Sequence, residues 1–105
     1  MDREARTRNR LARVTEMEAL LDETARLNAD LADRLEALDA ARKGMKKLFR
    51  YYGSATWHRD REHELPEGVR AGVLSEDLVY DEIVSLRENA IRMLELATDV
   101  LKNVL

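Results

Sequence analysis

The sequence predicts an all-α protein: a long antiparallel helical hairpin with a short helical cap between its two helices, dimerising into a four-helix bundle. Three observations carry this. Breakers are scarce, with one Pro and four Gly in 105 residues. Apolar residues recur at spacings of three and four over most of the chain. Aromatics are only 5% of residues, so the core must be built from aliphatic side chains, as in helical bundles. The length fits a single domain, 1–105.

The first element is a helix from Arg3 to Tyr52. Its seam is Val14, Met17, Leu21, Leu31, Leu35, Leu38, Met45, Phe49 and Tyr52. Thr24, Asn28 and Arg42 fill the missing positions, and Leu20, Leu27 and Leu48 widen it. The pattern is heptad-like and predicts a rod of roughly 75 Å. Residues 14–52 form its apolar part. Residues 1–13 are an Arg-rich arm: Arg3, Arg6, Arg10 and Arg13 step by three, four and three onto one face. Unpaired Arg cannot fill a dry core, so this arm is expected to project, fray or lie on an acidic surface.

Residues 53–74 form the cap. Ser54 is an N-cap for a short helix near 55–63. Pro66 ends that segment and opens a further helical turn to Ala71, with Gly72 as its left-handed cap. Trp57, Leu65, Val69, Val73 and Leu74 are expected to close the end of the bundle against Phe49, Tyr52 and Tyr80.

The second long helix covers 75–105. Ser75 is its N-cap, its Oγ accepting from an amide near Leu78. Glu76 and Asp77 suit the positive helix end, and Leu74 with Val79 make a hydrophobic staple. Its apolar set (Ile83, Val84, Leu86, Ile91, Met93, Leu94, Leu96, Val100, Leu101, Val104) covers an arc of roughly 200°, about twice what one neighbour needs. The first helix supplies one neighbour, covered back to about residue 20, since the second spans roughly 46 Å. A second copy of the chain supplies the other. Asn28 either pairs across that interface or sits at the hairpin's wet edge.

The stretch YYGS, then Trp57, then LPEGVRAGVLSEDLVYD and RMLELATDVL resembles a bacterial family of small helical proteins known as domain of unknown function 4298. The resemblance runs from Val14 to Leu105. The acidic stretch that follows the Trp in that family is shorter here, with His58, Arg59, Arg61 and His63 mixed in. The resemblance implies the helical architecture and no activity.

Catalysis is not expected. There is no Cys, hence no thiol nucleophile, disulfide or thiolate metal site. Ser54, Ser75 and Ser85 lack a Gly-rich elbow. His58 and Glu62 share a helical face, but His63 points about 100° away, so no metal or other cofactor is expected. Tyr51, Tyr52, Trp57 and Tyr80 are a candidate binding surface, because aromatics with polar tips suit partial exposure.

Charge is blocky although the net is −3: residues 1–15 carry +3, 16–41 carry −6, 42–50 carry +5, and the remainder −5. The basic blocks allow nucleic-acid binding through Arg3, Arg6, Arg10 and Arg13 and the 42–50 patch, although no nucleic-acid motif accompanies them. Pairing with the 16–39 acids, in a neighbouring chain if the dimer is antiparallel, is the cheaper explanation. With no apolar leader and no run of ~18 apolar residues, a cytoplasmic protein is expected. The function this sequence favours is a homodimeric scaffold that binds another, unknown, protein.

Overall fold

The computed structural model describes residues 2–105. Helix α1 spans Arg3–Tyr51, α2 spans Ala55–Arg61, a 3₁₀ turn covers Gly72–Leu74, and α3 spans Leu78–Asp99. The chain then continues as a π-helical end, Val100–Val104. The described residues contain no strand. They fall into two units, residues 1–42 and 43–105.

The first unit is the longer part of α1. Helix already begins at Arg3, within the Arg-rich start. Asp2 caps it: its Oδ1 accepts from the Ala5 amide at 2.7 Å, and its carbonyl accepts from the Arg6 amide at 3.1 Å. The first bond satisfies one of the amides that every helix start leaves orphaned, the second opens the helical ladder, and a carboxylate stands at the positive end of the dipole. No residue of α1 is buried. A lone helix has no second element in its own unit on which to lay a seam. Val14, Met17, Leu21, Leu31 and Leu35 are accordingly exposed.

In the second unit, α1 ends by a glycine cap. The Tyr52 amide still donates to the Leu48 carbonyl at 3.1 Å, and Gly53 then turns left-handed at φ 78°. Only Gly adopts that geometry without steric cost. Ser54 follows as the N-cap of α2, its Oγ accepting from the Trp57 amide at 3.2 Å.

Three expectations are corrected here. Residues 66–71 form no helical turn. Instead Pro66 opens a reverse turn, in which the Val69 amide donates to the Pro66 carbonyl at 3.2 Å. The left-handed residue is therefore Gly68 at φ 86°, the third position of that turn, and not Gly72. Finally, α3 starts at Leu78 rather than beside Ser75. The Ser75 amide is taken by the Gly72 carbonyl at 3.0 Å, which closes the 3₁₀ turn and leaves Ser75 extended. Its Oγ does accept from an amide beside Leu78, that of Asp77 at 3.2 Å, but in a local turn ahead of the helix. The last residue before α3 is Asp77, whose carbonyl accepts from the Asp81 amide at 2.8 Å.

Two side chains are buried in this unit, Trp57 at 3% exposure and Val79 at 5%. Phe49, Val73, Leu74, Ile83, Val84 and Leu86 are half-buried. Leu65, Val69 and Tyr80, expected in the same cluster, are exposed. The reverse turn at 66–69 leaves Leu65 and Val69 on irregular chain with no helical face to hold them inward.

Candidate functional site

The knuckle between α1 and α3 is built around Trp57, and all its parts lie within residues 43–105. Ser54 fixes the start of α2, so Trp57 sits in its first turn and points inward. The indole Nε1 donates to the Val73 carbonyl at 2.9 Å. Tyr52 meets the indole edge to face, with centroids 5.1 Å apart and planes at 66°. The Arg61 guanidinium, one turn further along α2, lies 4.5 Å from the indole centroid, within cation–π range. Arg61 also reaches Glu76 Oε1 at 3.3 Å. The Tyr52 hydroxyl donates to the Glu76 carbonyl. Indole, phenol and guanidinium thus converge on the segment Val73–Glu76 from one side.

The neighbouring Tyr51 hydroxyl donates to Asp60 Oδ2 at 2.6 Å. That hydrogen bond, with some desolvation and the nearby carboxylate charge, raises the phenol above its ordinary 10.0. Next to this pair is an open hollow of about 350 Å³, bordered by Tyr51, Asp60, His63, Arg70, Val73 and Leu74.

The polar groups of the knuckle are largely spent on one another. Trp57 is on Val73, Tyr52 on Glu76, Tyr51 on Asp60 and Ser54 on the Trp57 amide. Such an arrangement holds backbone segments together.

Of the four aromatic residues in the candidate surface, the structure brings Tyr52 and Trp57 into contact and places Tyr51 beside them on the Asp60 side. Trp57 is enclosed, while Tyr80 stands apart on α3 at 56% exposure. Arg3, Arg6, Arg10 and Arg13 are all exposed on α1. No group of three or more His, Asp or Glu that could hold a metal ion occurs among the described residues. Asp60, Arg61 and Glu76 are the members that sequence reasoning missed. Asp60 and Arg61 had one local trace: they follow Trp57 by three and four residues and so share its face of α2.

Fold and knuckle together define a small all-α protein in which an aromatic joint ties a short helix to the start of a longer one. The chain belongs to the family described as Domain of unknown function (DUF4298), which it matches over residues 14–96. Neither a curated protein nor a solved structure matches the chain. No helix among the described residues is long and apolar enough to cross a membrane.

Proposed function

We propose that this chain is a non-enzymatic interaction module that works as a homodimeric helical bundle and serves as a scaffold for another protein. The observation that carries this is the uncovered apolar surface of α3 and its π-helical end. Two seams run along it side by side. Ile91, Leu94, Thr98, Leu101 and Leu105 form one, and Ala90, Met93, Ala97, Val100 and Val104 the other. Within α3 each repeats at heptad spacing, and they lie about 100° apart, which is how a helix inside a four-helix bundle meets two neighbours; Val100, Leu101, Val104 and Leu105 extend the apolar surface onto the π-helical end. Leu94 is 71% exposed and Leu101 70%. Thr98 does not break its seam, because its Oγ1 is spent on the Leu94 carbonyl at 2.9 Å.

A second copy is the occupant favoured here, since it brings the same double seam and the same lack of cover. Sedimentation equilibrium tests this: the native chain should run as a dimer at micromolar concentration, and Leu94→Glu with Leu101→Glu should shift it toward monomer. A native monomer would end the reading.

A second reading is nucleic-acid binding through Arg3, Arg6, Arg10 and Arg13, favoured by their exposure on an Asp2-capped helix. It requires salt-sensitive binding to duplex or single strands that is lost when all four become Glu. No binding at low salt would remove it.

A further inference from the structure

We infer that residues 13–39 of α1 pair with the same residues of a second copy as a parallel, in-register, two-stranded coiled coil. The inference rests on the homodimer reading and adds to it an orientation and a recognition code.

Helix α1 is unbroken from Arg3 to Tyr51, so one heptad register holds throughout. With Val14, Leu21, Asn28 and Leu35 at the a positions, Met17, Thr24, Leu31 and Leu38 take d. The structure shows which polar seam residues are already satisfied. Thr24 Oγ1 donates to the Leu20 carbonyl at 2.7 Å, leaving its methyl for the seam. The Arg42 guanidinium bonds Asp39 Oδ1 at 2.7 Å. The Asn28 amide has no side-chain partner among the described residues. In a parallel, in-register pair Asn28 faces Asn28 of the second copy, where each amide can donate to and accept from the other. A lone Asn at an a position is the feature that fixes register and strand number.

The flanking positions agree. In a parallel pair each g residue meets the e residue five places on in the other chain. The four successive pairs are Arg13 with Glu18, Leu20 with Ala25, Leu27 with Ala32, and Arg34 with Asp39. Two are ion pairs of opposite sign, two are apolar, and none is repulsive. The other six acids of the 16–39 block (Glu16, Asp22, Glu23, Asp30, Asp33, Glu36) all fall at b, c or f and point away from the seam. Asp39 keeps Oδ2 for the second copy's Arg34, since both bonds from Arg42 land on Oδ1. The antiparallel register that would pair Asn28 with Thr24 instead sets Arg34 against Leu20 and Glu18 against Ala32.

Because the chain has no Cys, one introduced thiol reports orientation cleanly. In the full-length protein, Leu35→Cys should form a 35–35 disulfide in a glutathione redox buffer, enriched about tenfold or more over the same chain in denaturant, as association raises effective concentration. Met17→Cys mixed with Leu35→Cys should give no enrichment of the 17–35 cross-link. A second pair of variants tests the code independently. Arg13→Glu with Arg34→Glu in one chain, and Glu18→Arg with Asp39→Arg in another, should each weaken self-association at least about tenfold, and mixing them should restore a heterodimer. A sedimentation dimer that cross-links 17 to 35 but not 35 to 35 overturns the parallel arrangement while leaving the homodimer intact. Unaltered self-association of both charge-reversed chains also overturns it. A monomeric native chain overturns both readings together.

Discussion

The Trp57 indole Nε1 and the Val73 carbonyl are 2.9 Å apart, and this one hydrogen bond joins α2 to the 3₁₀ turn across sixteen residues. Trp57 is also one of the two buried side chains among the described residues, so the joint and the small core are the same object.

Replacing it separates packing from bonding. Trp57→Phe keeps an aromatic but orphans the Val73 carbonyl and should cost about 1–3 kcal/mol. Trp57→Ala also empties the site and should cost about 3–5 kcal/mol. Urea unfolding at one fixed protein concentration measures both, since the proposed dimerisation would make stability concentration-dependent. Trp57→Phe within ~0.5 kcal/mol of the native chain would show that the Val73 bond contributes little.

The glycines sort by backbone angle. Gly53 and Gly68 have φ of 78° and 86°. Their Ala variants should each lose roughly 1–2 kcal/mol, because a Cβ is strained in the left-handed region. Gly44 lies inside α1 with open space around a would-be Cβ, so Gly44→Ala should gain up to about 1 kcal/mol. Gly72 has an ordinary angle, and its added Cβ would meet the flexible tip of Leu78 at 3.1 Å. Thermal unfolding of the four Ala variants checks the order, and a Gly72→Ala loss larger than that of Gly68→Ala would contradict it.

The start of α3 shows why some of the fold was legible and some was not. The long helix was readable because its seam repeats for many turns without a Pro, and the start of α2 because Ser54 had a free choice of amide. The sequence Ser75-Glu76-Asp77 carries the same capping signal. There, however, the Ser75 Oγ accepts from Asp77 only two residues on, in a local turn, and the helical ladder opens with the Asp81 amide on the Asp77 carbonyl, so α3 starts at Leu78. The left-handed glycine went to Gly68 for a related reason: the reverse turn opened by Pro66 stops the helix that Gly72 would have ended. At the knuckle, Trp57 announces itself as the lone Trp. Its partner Val73 is sixteen residues away, and Glu76, which Tyr52 and Arg61 reach, lies three further on; no local pattern connects them.

Tyr51 offers a spectroscopic test. Its hydroxyl is raised above 10.0, first by the bond to Asp60, so the neutral phenol is favoured in the folded chain. The stabilisation this bond gives is complete below pH 10.0 and is lost as pH rises through the higher folded value. In an ultraviolet tyrosinate titration of the folded protein, Tyr51→Phe should remove a transition that lies above pH 10.0. A curve above pH 10.0 left unchanged by Tyr51→Phe would contradict the Tyr51–Asp60 bond.

Self-association underlies the functional proposal, and sedimentation equilibrium of the native chain across the micromolar range probes it without any substitution. A mass near twice the 12.1 kDa of one chain, falling toward 12.1 kDa on dilution, is expected. A single species of 12.1 kDa at every concentration would show that the exposed seams of α1 and α3 are not covered by a second copy.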